Sequence, residues 1–254
     1  MQVFIGWDAR EPEAAEVCEY SIKCRTKSKP QVRMLKHREL REQGLFWRPW
    51  LTESTTGNWR DLIDNKPFST EFSHTRFLVP QLCGFDGWAL FLDSDMIFQS
   101  DIKKLWELRD DKYAVMVTKH EHKPKNGMKM DGREQHAYFR KNWSSFILFN
   151  CAHPANRSLT ADYVNSRPGG DLHKFMWLNE HEIGALPKTY NWIEGYSPAE
   201  FPPDVIHYTE GGPWFPKCQD VMFADKWTDE FESMQRNTDG QYFLTPTTKH
   251  DFVK

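Results

Sequence analysis

The chain has 254 residues, 27% of them charged, and a formal net charge of −3. That length accommodates a sizeable core as one large α/β domain, and the near-neutral balance provides no global basic field to hold nucleic acid or an acidic membrane surface. Aromatic residues make up 15%, with 11 Trp and 18 Phe, which fits ring-stacking pockets as well as an aromatic core. The five cysteines (Cys18, Cys24, Cys83, Cys151, Cys218) are scattered and form no CxxC pair, so they read as reduced, structural thiols. No apolar run reaches about 18 residues, and Met1 leads straight into a strand-like segment rather than a signal peptide. A cytoplasmic protein without a membrane segment is expected.

In chain order, "MQVFIGWD" is an apolar run stopped by a carboxylate, as a buried strand ending in a functional loop would be. "EPEAAEVCEYSIKCRTK" follows as a helix, with acids at its start, bases at its end, and Ala14, Val17, Cys18 and Ile22 on one face. "QVRML" is a second strand, residues 46–59 read as loop, and "EFSHTRFLVPQL" (71–82) reads as a helix with Pro80 near its end. "GWALFLD" (87–93) is apolar on both faces and belongs in the middle of a sheet. "YAVMV" (113–117) and "SSFILFN" (144–150) are further buried strands. The polar, Lys/His-rich stretch 118–142 between them is a long loop, expected to become ordered around residues 120–133 when a ligand binds. Helices are expected at 157–166 and 171–180, then "LPKTYNW", "DVIHYTEGGPWF" and a polar tail. Strands alternating with helices predict an α/β three-layer sandwich around one continuous sheet. One domain spans 1–254, with a first half at 1–100, a second at 101–220 and a tail at 221–254.

Ligands of open α/β sheets gather outside the carboxyl ends of the strands. Asp8, the pair Asp93 and Asp95, and His207 all fall at such ends. Alternate residues of an extended segment point the same way, so Asp93 and Asp95 can converge on a hard divalent cation; an imidazole added to them favours a transition metal such as Mn²⁺. The competing reading of "DSD" is a helix cap or loop, but a buried carboxylate pair is costly without a cation. In "HYTEGGPWF" the glycines let backbone N–H groups approach phosphate oxygens, or else form a turn plugged by Trp214 and Phe215.

"SHTRFLVP", "FLDSDMIF", "LPKTYNW" and "VIHYTEGGPWF", in that order over residues 3–216, resemble the glycogenin-like glycosyltransferases of the GT-A fold. A bacterial and phage branch is the nearest likeness, through "STEFS" (69–73), "KMDG" (129–132), "NWSS" (142–145) and "GGPWF" (211–215). The resemblance implies a Rossmann-like α/β/α sandwich with a mixed, mostly parallel sheet. It implies a nucleotide-binding first half, and a second half for sugar and acceptor. Asp93, Asp95 and His207 would hold Mn²⁺ (or Mg²⁺) against the diphosphate of a nucleotide-sugar, a UDP-sugar by preference. Gly6, Trp7 and Asp8 would border base and ribose, Ser94 would join the nucleotide site, and Arg76 would reach donor phosphate or sugar hydroxyls. Gly211, Gly212 and Lys217 would cover the phosphates, although Lys217 follows the Pro-Trp pair whereas the family's lysine precedes it. Ser144 and Ser145 stand where relatives have Asn-Ala-Gly, and the relatives' Asp-Gln pair is replaced within "WLNEHEIG" by Glu180 or Glu182, with His181 beside them, as the catalytic candidates.

The implied reaction is transfer of the sugar to an acceptor hydroxyl with retention of configuration, the leaving phosphate accepting the acceptor's proton. Two rivals share these features: a nucleotidyltransferase of the same fold, and a non-enzymatic, metal-dependent carbohydrate-binding protein. The first lacks its usual Gly-rich basic loop, since "GWDAREPEA" follows the first strand. Glycan, lipid-linked, protein and hydroxylated phage-DNA acceptors all stay open, as does the oligomeric state.

Overall fold

Strands that are apolar on both faces are satisfied only in the interior, and such strands form the centre of this molecule. The computed structural model describes residues 1–120, 127–128, 134–135, 140–199 and 201–238. The chain begins with β1 (Gln2–Gly6), α1 (Pro12–Cys24), β2 (Gln31–Leu35) and α2 (His37–Glu42). Three short strands follow, β3 (Trp50–Thr52), β4 (Trp59–Asp61) and β5 (Pro67–Phe68), then a 3₁₀ turn (Thr75–Leu78) and α3 (Val79–Leu82). Next are β6 (Trp88–Leu92), β7 (Met96–Phe98), α4 (Ile102–Trp106), β8 (Val115–Val117), β9 (Gly127–Met128) and β10 (Glu134–Gln135). The remainder is β11 (Phe146–Asn150), α5 (Ala161–Ser166), α6 (Gly169–His173), β12 (Ile183–Ala185), β13 (Tyr190–Ile193), β14 (Val205–His207) and α7 (Ala224–Thr238).

The main sheet has the order β12-β8-β11-β6-β1-β2. Every pairing is parallel except those of β11, which runs against both neighbours. Side chains alternate between two cores. Val3, Ile5, Leu90, Leu92 and Leu148 pack with Ala15, Cys18 and Ile22 of α1 and Ile102 and Leu105 of α4. Phe4, Phe91, Ile147 and Phe149 pack on the other face with Val79 of α3, Val164 of α5 and Leu172 of α6. The result is the expected three-layer α/β/α sandwich. Each fully buried Leu, Ile or Phe contributes about 1.5–3 kcal/mol, so β6, buried from Ala89 to Leu92, pins the loop that follows it.

The expected single sheet is divided. β13, β14 and β7 form a separate three-stranded sheet, with β14 antiparallel to β7, and β3-β4-β5 form an antiparallel flap in a region read as loop. The polar tail is in part a helix: α7 lays Trp227 and Met234 on Val17, Trp192 and Tyr208. The expected helix 71–82 shrinks to the 3₁₀ turn and α3, where Pro80 stands in the first turn rather than near the end, as its missing N–H prefers. The expected helix 171–180 stops early because Phe175 turns left-handed (φ +56°) to bury its ring against Phe77 and Trp177. Thr160 caps α5 and splits the segment 157–166. The flap is fastened by a fully buried ion pair, with Arg48 Nε 3.0 Å from Asp61 Oδ1 and Arg48 Nη1 donating to the Val164 carbonyl at 2.9 Å. Most of 118–142, including the segment expected to order on ligand binding, lies outside the described residues; β9 and β10 form a short antiparallel pair there. None of the five cysteines is in a disulfide. Among the described residues no helix is long and apolar enough to cross a membrane.

Candidate active site

Asp93 and Asp95 occupy the bend where the chain leaves β6 of the main sheet and enters β7 of the small one. The bend is held by backbone bonds from Asp93 N to the Ser145 carbonyl and from Tyr208 N to the Asp95 carbonyl, both 2.9 Å. Antiparallel pairing of His207 with Met96 sets the imidazole beside the second aspartate, Nε2 lying 3.3 Å from Asp95 Oδ1. One ligand atom from each of Asp93, Asp95 and His207 lies within 4.8 Å of the others. The three residues singled out in the sequence therefore meet at one point.

Asn191 decides what His207 presents there. It sits at a register shift in β13, with φ +79°, a left-handed conformation that Asn tolerates. Its amide donates to the Asn142 carbonyl (3.2 Å) and to Ser145 Oγ (3.0 Å), so its carbonyl oxygen faces His207 Nδ1 at 2.7 Å. Nδ1 then donates to Asn191, which turns Nε2 toward the two carboxylates. That Nε2 is buried with no hydrogen-bond partner. Two carboxylates and an imidazole nitrogen with no hydrogen-bond partner converge here, a donor set that fits a divalent cation, which these residues would hold.

Arg76, read from sequence as a helix residue reaching the donor, is buried over the Phe91 ring. Its Nη1 lies 2.7 Å from Asp93 Oδ1 and donates to the Ser144 carbonyl at 2.7 Å, so it orients the first aspartate. Asp8 is fully buried and accepts from Arg10 Nε (2.8 Å), Arg10 Nη2 (2.6 Å) and Glu71 N (3.1 Å). Burial pushes its carboxyl up, but the hydrogen bonds and charge of Arg10 more than offset this, and the group stays below its ordinary range. Asp8 thus shapes the first-strand loop, while Arg10 lines the recess. Gly6 leaves room for the Phe72 ring, which a Cβ there would strike, and Gly212 does the same for Trp214. Trp7 lies half-buried beneath the Lys36 ammonium, 5.1 Å from its ring centre.

Two recesses meet at Asp95. The smaller, about 140 Å³, is lined by Arg10, Glu11, Thr209, Glu210 and Gly211. The larger, about 440 Å³, runs past Asp93, Arg76, Asn142, Ser144, Ser145, His74 and His173 to Lys66, Lys141 and Lys174. Glu11 closes the smaller one: it accepts from Trp214 Nε1 at 3.2 Å, and Ser94 Oγ lies 3.5 Å from its other oxygen. Burial, then the Asp95 and Asp8 charges, push the Glu11 carboxyl up to about 8.

Glu180 and Glu182 line neither recess. They stand with His181 on a 3₁₀ turn, because the chain breaks at Phe175 instead of continuing as helix. Glu180 is 61% exposed and pairs with Arg140 and, at 3.4 Å, with Lys119; Glu182 caps its own turn through Asn179 N at 2.7 Å. The wall they were expected to supply is built by α6, where Gly169, Gly170 and His173 face the cleft. Lys217 is exposed and borders neither recess. Asn191, Glu11, His74 and His173 were not singled out from sequence, although a lone Asn between Tyr190 and Trp192 in an apolar strand is itself a signal of a buried polar role.

This mixed α/β/α sandwich is the fold shared by GT-A glycosyltransferases. The profile of Glycosyl transferase family 8 matches residues 51–218, and the chain belongs to that family. Protein CDI of Arabidopsis thaliana is 41% identical over 240 residues, covering 92% of this chain and 87% of that one. Among solved structures, the apo bifunctional glycosyltransferase WbbM superposes with a TM-score of 0.61 at 15% identity, over 93% of this chain and 51% of that chain. The Streptococcus pneumoniae glycosyltransferase GlyE gives 0.58 at 17% identity, over 97% and 65%. The galactosyltransferase LgtC, solved with donor and acceptor sugar analogues, gives 0.55 at 13%, over 92% and 96%. The chain thus spans about half of WbbM and just under two-thirds of GlyE.

Proposed function

We propose that this glycosyltransferase moves a sugar from a nucleoside-diphosphate sugar, a UDP-sugar by preference, to an acceptor hydroxyl with retention of configuration. The observation that carries this is the convergence of Asp93, Asp95 and His207 Nε2, whose ring Asn191 orients. These residues would hold Mn²⁺ or Mg²⁺, which when bound supplies Lewis-acid stabilisation of the departing diphosphate. On that assignment the smaller recess takes the diphosphate, with Gly211 backbone and Arg10 facing its oxygens. The sugar lies in the larger recess between Ser144, Ser145, His74 and His173, whose polar atoms can bond its hydroxyls. Arg76 keeps Asp93 in place while charge builds on the leaving group. No protein carboxylate in the described part of the cleft is placed as an obvious base: Asp61 is held by Arg48, and Asp64 accepts the Gly169 and Lys66 N–H groups. That arrangement favours the leaving phosphate as the acceptor of the incoming hydroxyl's proton, on the same face of the sugar.

Calorimetric titration with UDP tests the reading. UDP should bind in Mn²⁺ and fail to bind in chelator, and Asp95→Asn should abolish the metal-dependent heat while leaving the unfolding transition in place. Metal-independent UDP binding of equal strength would contradict it.

A further inference from the structure

Beyond the metal cluster the far end of the cleft carries three lysines against one carboxylate without a cationic partner, Asp64, so that end is net positive. Of the four carboxylates along its wall, each already has a partner. Asp61 is held by Arg48 and Asp93 by Arg76, and Asp95 belongs to the cluster with His207 that would hold the metal. Asp64 accepts from the backbone N–H groups of Gly169 (2.8 Å) and Lys66 (3.0 Å). Lys66, Lys141 and Lys174 line the same wall. Lys66 and Lys174 form no ion pair with any described residue.

Asp64 also brings two of these lysines together. Its carboxylate ties the loop carrying Lys66 to the first residue of α6, and the Lys174 Nζ reaches back over that helix to within 4.0 Å of where a Gly170 Cβ would stand. Gly170, exposed and without a side chain, leaves the space beside that ammonium open. His74 and His173 register the same field: burial, then Arg48 and the neighbouring imidazole for one and Arg76 and Lys141 for the other, hold both well below the usual histidine range. They therefore line the cleft as neutral imidazoles and add no charge of their own.

We infer that this end of the cleft is the acceptor subsite and that the acceptor carries a phosphate group, bound by Lys66 and Lys174 with Lys141 alongside. This rests on the donor and metal assignment above, which places the leaving diphosphate at the opposite end. Lysine ammonium groups bind phosphate as point charges, whereas carboxylates are matched by the planar fork of arginine. The arginine of this wall, Arg76, is committed to Asp93 and the Ser144 carbonyl. A phosphate thus suits the side chains better than a uronic acid does.

The test titrates the full chain, first loaded with UDP and Mn²⁺ so that the donor site is filled. Glucose 6-phosphate, glucuronate, glucose and inorganic phosphate are the probes. Glucose 6-phosphate should bind at least about tenfold more tightly than glucose or glucuronate, and inorganic phosphate should compete with it. The double variant Lys66→Ala/Lys174→Ala should lose about tenfold or more of that affinity, whereas Lys112→Ala, a remote exposed lysine paired with Asp110, should lose none. Equal binding of glucose and glucose 6-phosphate overturns the inference, as do tighter binding of glucuronate, no binding of glucose 6-phosphate, or an unchanged double variant. The loading step on the wild-type protein reports separately on the donor reading. If UDP fails to load, that reading falls, and the same probes are titrated into the unloaded chain.

Discussion

Replacing Asn191 by glycine isolates the device that orients His207. Glycine adopts the observed φ of +79° without strain, so the change removes hydrogen bonds and little else. The imidazole loses the 2.7 Å acceptor on Nδ1 and with it the fixed tautomer and ring angle. Loss of such an outer partner typically costs about 10–100-fold in metal affinity, or about 1.4–2.8 kcal/mol. The Asn142 carbonyl and Ser145 hydroxyl also lose a buried donor, at about 1–3 kcal/mol of stability. Asn191→Ala should lose the same metal affinity and a further ~1–2 kcal/mol of stability, because alanine resists the left-handed backbone. Electron paramagnetic titration of free Mn²⁺ measures the first effect and urea unfolding the second. Wild-type Mn²⁺ affinity in Asn191→Gly would refute the orienting role, and equal stability of the two variants would refute the backbone assignment.

Arg48→Ala leaves Asp61 charged and buried, so it should destabilise the fold by about 3–5 kcal/mol; a urea midpoint close to wild type would contradict this. Gly212→Ala drives a Cβ into the Trp214 ring, so the turn must shift; UDP affinity should fall about tenfold, read by calorimetry, alongside a stability loss of about 1–3 kcal/mol. For Asp8, the folded carboxyl lies below its ordinary value of 3.8, so its stabilising contribution is present above that value and is lost as pH falls through the folded one. Asp8→Asn should therefore be less stable than wild type at neutral pH, and the gap should close only under acid; a gap that is constant from pH 7 to pH 2 would rule this out.

The fold class was legible because β1, β6 and β11 are apolar on both faces, a pattern that only a covered central strand satisfies. The meeting of Asp93, Asp95 and His207 was legible because each ends or lies in a short buried strand. The division into two sheets was not, since β7 and β14 are three-residue strands with too few positions to show which partner they take. The position of Glu180 and Glu182 outside both recesses has one local cause. Tertiary burial of Phe175 overrides the helical pattern, so residues projected from a continuing helix fall on an exposed turn. Asp8 was identified by position, yet its partner two residues on, Arg10, is what reaches the recess; no periodicity shows an ion pair formed inside a loop. Asn191 lay within a motif already singled out, but the bulge that aims it appears only with the β13–β14 register.

The central claim is metal-dependent use of a nucleotide-sugar, and turnover of such donors tests it most directly. The purified chain, incubated with a panel of UDP-sugars and related donors, should release nucleoside diphosphate from at least one of them in Mn²⁺. Release should stop on chelation and be absent in Asp95→Asn. Release that persists undiminished in chelator, or in Asp95→Asn, would contradict the account.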